Sequence, residues 1–169
     1  MRRLLLLVTA VAALAVAFAA PRGAGEGDAA PRALEGPVER VVDGDTIRVL
    51  LGGRSERVRY IGVDTPESRK PGTPVQCFAK RAAEANRRLV AGERVRLVLD
   101  VEERDRFGRL LAYVYRARDN RFVNAALVRE GFARTLTIPP NVRFAERFAA
   151  LATQARRAGR GLWSACAPA

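Results

Sequence analysis

The chain has 169 residues, with 30 Lys and Arg against 18 Asp and Glu, a formal net charge of +12 and no histidine. That length suits one domain plus a targeting segment, and the cationic excess favours a polyanion such as nucleic acid as partner. The missing imidazole excludes a histidine base, a histidine triad and histidine metal ligands, so any such role falls to Asp, Glu, backbone oxygen or water, which suits Ca²⁺ or Mg²⁺ better than Zn²⁺.

Residues 1–19 read as a signal peptide. Arg2 and Arg3 precede an uncharged run from Leu4 to Phe18, and Ala17-Phe18-Ala19 offers a small-x-small cleavage site before Ala20. The run is short for a spanning helix, and Pro21 and Gly23 follow at once. The expected product is secreted or periplasmic, monomeric and without stable membrane association. Residues 20–36 are rich in Ala, Gly, Pro and charge and read as a flexible leader; 37–169 then form one domain.

Val38 to Val42 and Thr46 to Leu51 read as strands joined through Asp43-Gly44, a hairpin signal. Arg57 to Val63 reads as a third strand, and 64–75, with three prolines, as a loop. Phe78, Ala82, Ala85 and Leu89 recur at helical spacing and predict a helix over 76–90, stopped by Gly92. Arg94 to Val101 predicts a fourth strand with Val95, Leu97, Leu99 and Val101 inward; Arg109 to Arg116 predicts a fifth. A second helix is expected over 123–130. A third is expected from Asn141 to about Ala158, with Phe144, Phe148, Leu151 and Ala155 on one stripe. Five short strands with a helix between the third and fourth predict an α+β fold: an OB-type Greek-key β-barrel with three helices.

Cys77 and Cys166 are the only cysteines. Export to an oxidising compartment makes a disulfide between them the leading reading, and closing a loop of that length contributes at most about 4–5 kcal/mol in the chain-entropy account.

The chemistry gathers in two acidic motifs and two arginines. Asp43-Gly44-Asp45-Thr46 taken alone is an ordinary turn. Asp64-Thr65-Pro66-Glu67 taken alone is a strand end, although Pro66 biases Thr65 toward extended geometry and so directs its carbonyl. Arg59 lies between them, and Arg109 closes Asp105-Arg106-Phe107-Gly108-Arg109. Carboxylates collect around hard cations and guanidiniums around phosphate oxygens. The arginines Arg87, Arg88, Arg143, Arg147, Arg156, Arg157 and Arg160 could follow a nucleic-acid backbone or simply form solvated helix faces.

With these motifs in this order, and with Val123-Asn124-x-x-Leu127-Val128-Arg129-x-Gly131 and Gly161-Leu162-Trp163-Ser164 further on, the chain resembles the staphylococcal nuclease family from about Val38 to Ser164. The resemblance implies that Asp45 and Asp64 supply carboxylate oxygens to one Ca²⁺, the Thr65 carbonyl adds another, and Asp43 stands in the outer shell. It also implies that Glu67 acts on the attacking water, that Arg59 and Arg109 hold the phosphate, and that DNA and RNA are cut to leave 3′-phosphate ends. The sequence departs from the family pattern where Phe107 replaces a Tyr, and at Thr135 to Pro140, which lacks the family's tyrosines; base preference is therefore open. The competing reading is a non-catalytic OB module that binds nucleic acid, since members of this fold can lose the acids and keep the shape; a general polyanion binder would need the charge but not the acidic cluster.

Overall fold

A computed structural model describes residues 32–67, 72 and 74–166. The signal peptide and most of the leader lie outside the described residues. The elements, in chain order, are β1 (Ala33–Val41), β2 (Thr46–Leu51), β3 (Arg54–Tyr60), β4 (Gly62–Asp64), α1 (Ala79–Val90), β5 (Arg94–Val98), β6 (Leu110–Arg116), β7 (Arg121–Phe122), α2 (Val123–Arg129), β8 (Arg134–Leu136), α3 (Ala145–Arg157) and the single turn α4 (Leu162–Ala165). None of the described helices is long and apolar enough to cross a membrane.

Antiparallel pairing runs β3-β2-β1-β5-β6, and a parallel pairing of β3 with β6 closes the ring into a five-stranded barrel. Closure removes both edges. Inward residues fill the barrel: Ile47, Val49, Val58, Val95, Leu97, Ala112 and Val114 are all fully buried and belong to one cluster that α1 and α2 extend. A second cluster is aromatic. Tyr113, Phe122 and Phe148 pack there with the half-buried Phe144 and join α3 to the barrel. The Tyr113 hydroxyl donates to Asp100 at 2.7 Å, so this tyrosine serves the core.

Several details differ from expectation, each for a local reason. β1 begins at Ala33, so residues 33–36 of the expected leader are strand: they pair with β5, and Leu34 packs on the core. The expected third strand splits at Ile61, whose N–H turns to the Ala112 carbonyl. Gly62 then takes a φ of 78° and lies against the Phe148 ring, where a side chain would collide. The alternation assigned to the fourth strand fails at its end, since Val101 is 73% exposed while the Asp100 carboxylate tucks inward to meet Tyr113 and Arg143. α3 begins at Ala145 rather than Asn141 because the Asn141 carboxamide brackets the Glu102 backbone, accepting from its N–H and donating to its carbonyl at 2.8 Å each.

α1 also starts late, at Ala79. Gln76 and Cys77 are engaged elsewhere, and Phe78 holds a left-handed φ of 71°, uncommon for a non-glycine residue. Its ring stacks on Phe132, centroids 5.7 Å apart. Cys77 and Cys166 form a disulfide.

Candidate active site

The β1–β2 turn brings Asp43 and Asp45 to one end of the barrel. The Asp43 carboxylate accepts the Asp45 N–H at 3.1 Å, an Asx-type turn. Helix α1 steadies it from behind: the buried Asn86 donates to the Asp43 carbonyl and accepts from the Tyr60 hydroxyl, both at 2.9 Å.

Gly44 does not adopt a positive φ, so the turn signal in Asp-Gly has a different cause here. A Cβ at this position would lie 2.6 Å from the Thr65 hydroxyl oxygen and 2.8 Å from its Cβ. Glycine allows the two acidic motifs to touch. The Thr65 N–H and hydroxyl both donate to one Asp45 oxygen, at 2.9 and 3.0 Å, and the Thr46 hydroxyl donates to the other at 3.1 Å. Gly44→Ala should therefore part the motifs. We expect the activity of the site to fall by roughly 10²-fold, the scale of a misplaced site, with the secondary structure unchanged by circular dichroism; retained activity would show that this contact is dispensable.

β4 leaves the barrel at Gly62 and pairs with β8, with Asp64 opposite Arg134. This detour sets Asp64 beside Arg59. One Arg59 nitrogen, Nη2, lies 3.2 Å from Asp45 and 3.1 Å from Asp64, while Nη1 donates to the carbonyls of Tyr60 and Val63. Two carboxylates thus share a single guanidinium nitrogen. Burial, with the neighbouring Asp45 charge, pushes the Asp43 carboxyl up to about 6. Burial also raises the Asp64 carboxyl, opposed by Arg59 and reinforced by Asp45. Burial and the adjacent charge both disfavour ionisation, and a cation relieves them.

Arg109 comes from the turn before β6. The β3–β6 pairing puts Arg59 opposite Leu111, two residues on from Arg109. Both arginines line one cleft of about 420 Å³, together with Phe107, Leu136 and Ile138. Asp105 organises this turn. Its carboxylate accepts the Phe107 and Arg109 amides at 2.9 and 3.0 Å and the Arg109 Nε at 2.7 Å. Partial burial works against its ionisation, but these hydrogen bonds outweigh burial and hold the carboxyl below its usual range. Among the described residues, the Arg109 Nη groups make no hydrogen bond or ion pair.

Hydrogen bonds and ion pairs therefore join Asp43, Asp45, Asp64, Thr65 and Arg59 in one network, and Arg109 borders the same cleft as Arg59. Glu67 stands apart. It is exposed, and among the described residues only its backbone is bonded, to Gln76. No cluster of three or more Asp, Glu or Cys side chains among the described residues forms a ready metal cage. The donor set nonetheless suits a hard cation: two carboxylates raised chiefly by burial and further by the Asp45 charge, a third that meets Arg59 beside them, and the carbonyl of a buried Thr65.

Three contributors were not singled out from the sequence: Asn86, Asp105 and Gln76. Asn86 sits on the buried face of α1, and a polar residue inside an apolar stripe is the signal that would have found it. Several of the arginines left open between a backbone groove and a solvated helix face have internal partners. Arg87 pairs with Glu84, Arg143 with Asp100, and Arg147 and Arg156 lie over the rings of Phe122 and Trp163.

The profile of the family described as "Staphylococcal nuclease homologue" matches residues 57–165. A thermonuclease of Staphylococcus hyicus is 38% identical over 165 residues, covering 95% of each chain. A thermonuclease of Staphylococcus intermedius is 49% identical over 107 residues, 63% of this chain and 62% of that protein. The endonuclease YncB of Bacillus subtilis (strain 168) is 38% identical over 129 residues, 75% of this chain and 60% of that one. With the closed barrel and the paired acidic motifs already in place, these matches settle the family: the chain belongs to the staphylococcal nucleases and is a hydrolase of phosphodiester bonds.

Proposed function

We propose that the chain is an exported, Ca²⁺-dependent, sugar-nonspecific nuclease that cuts DNA and RNA and leaves 3′-phosphate ends. The observation that carries this reading is the sharing of Arg59 Nη2 by Asp45 and Asp64 beside the cleft that Arg109 lines. Asp45, Asp64 and the Thr65 carbonyl would hold the ion, with Asp43 in the outer shell. When bound, the ion supplies neutralisation of the phosphate charge and a lower pKa for nearby water.

The remaining work falls to side chains. Glu67 accepts a proton from the attacking water, or orients that water. Arg59 and Arg109 present fixed N–H donors whose interaction strengthens as charge grows on the phosphate oxygens. Asp105 holds Arg109 by Nε and both neighbouring amides, which leaves the Nη groups for the substrate. The products follow from expulsion of the 5′ oxygen in line with attack. Export is supported by the N-terminal pattern of residues 1–19 and by the disulfide. A monomer is the assembly we propose.

Heat-denatured DNA and a matched RNA should both be degraded with millimolar Ca²⁺, with 3′-phosphate ends found by mass spectrometry. Excess chelator should abolish the activity. Degradation that persists in the chelator would refute the metal assignment, and 3′-hydroxyl ends would refute the direction of cleavage.

A further inference from the structure

Glu67 has an unusual position for a group asked to handle a water molecule. Its carboxylate bonds no other side chain among the described residues, and the residue is exposed. The hydrogen bonds the structure gives it are made by its backbone. On one side, Thr65 is locked to Asp45. On the other, both backbone groups of Glu67 are taken by one residue: the Glu67 N–H donates to the Gln76 side-chain oxygen at 2.8 Å, and the Gln76 N–H donates to the Glu67 carbonyl at 3.0 Å.

Gln76 is itself exposed, and hydrogen bonds between exposed groups are individually weak. What steadies it comes next in the chain. Cys77 is bonded covalently to Cys166, immediately after α4. The far end of that bridge is firm. Leu162 is buried and its N–H donates to the Gly131 carbonyl at 2.9 Å. Trp163 lies under the guanidiniums of both Arg134 and Arg156, at 4.9 and 4.4 Å. Arg134 is the β8 residue opposite Asp64. A closed mechanical ring thus runs from Glu67 through Gln76, the disulfide, α4 and Trp163 to Arg134 and back to Asp64.

We propose that Gln76 is a positioning residue for Glu67 and that the Cys77–Cys166 disulfide clamps it, so that the oxidised enzyme turns over faster than the reduced one. The proposal rests on Glu67 acting on the attacking water. Cys77 is exposed, so a dithiol can reach the bridge. Reduction adds two electrons and two protons, giving two thiols, while the dithiol closes to its own disulfide. The barrel ladder, the Asp45–Thr65 contact and the Arg109 turn do not run through the bridge and persist. The enzyme is then weak where thiols are kept reduced and reaches full rate after oxidation.

The test uses the full oxidised chain acting on single-stranded DNA with Ca²⁺. Gln76→Ala should lower kcat by roughly ten- to a hundredfold, the scale of a misplaced catalytic group, with KM and DNA binding within about twofold and faster hydrogen exchange at the Glu67 amide. Gln76→Glu, which keeps an acceptor oxygen there, should recover most of that loss. Dithiol treatment, followed by counting two titratable thiols, should lower kcat by a similar factor, and reoxidation should restore it. Reducing Gln76→Ala should add little, because both changes act through one contact. If the reduced protein unfolds at the assay temperature, Gln76→Ala with its bridge intact decides. Parent-like kcat in Gln76→Ala and in the folded, reduced enzyme, beside a crippled Glu67→Gln, would overturn this proposal alone. Parent-like kcat in Glu67→Gln would overturn the reading beneath it.

Discussion

Glu67→Gln should lower turnover by roughly 10²–10⁴, the usual contribution of a positioned proton acceptor, with nucleic-acid binding almost unchanged. The amide keeps the size of the side chain and leaves the backbone bonds to Gln76 in place. It removes the basic oxygen pair. Because Glu67 is exposed and its carboxylate bonds no other side chain among the described residues, stability should stay within about 0.5 kcal/mol, as for an exposed site. Parallel measurement of kcat and of equilibrium DNA binding at one Ca²⁺ concentration checks this. Equal losses in both would make Glu67 a binding group.

Arg109→Ala should cost roughly 10²–10³ in rate, as for removal of one preorganised donor to a charge-building oxygen. The turn should survive, because the amides of Phe107 and of residue 109 still donate to Asp105. Arg109→Lys should rescue little. The arginine meets Asp105 through Nε while its Nη groups make no hydrogen bond among the described residues, and a lysine has a single nitrogen for both tasks. Rate and melting temperature are to be read together. A large fall in melting temperature that accounts for the lost rate would recast Arg109 as structural.

The two variants probe different kinds of legibility. Arg109 announced itself through Asp105-Arg106-Phe107-Gly108-Arg109, a local turn whose bonds all fall within five residues. Asp45 taken alone reads as part of an ordinary turn and Asp64 as a strand end, and only the family resemblance joined them at one ion. Their meeting depends on Gly44 at the contact, on the Gly62 detour that hands β4 to β8, and on Arg59 between them. The helix starts at 76 and 141 were misplaced for one shared reason: Gln76 and Asn141 spend their side chains on distant backbone, at Glu67 and Glu102. Periodicity cannot see such partners.

The amino-acid sequence alone determined the barrel's strands, through alternation and turn residues, and the oxygen-only chemistry, through the absence of histidine beside clustered acids. Both are local or compositional properties, which a chain carries whatever its path in space. Only the tertiary structure decided which oxygens share Arg59, which arginines already have internal partners, and that Gln76 and a disulfide 89 residues in span stand behind Glu67. Those are contacts between distant segments, set by barrel closure and by where the strand pairing breaks, and no single stretch of sequence contains them.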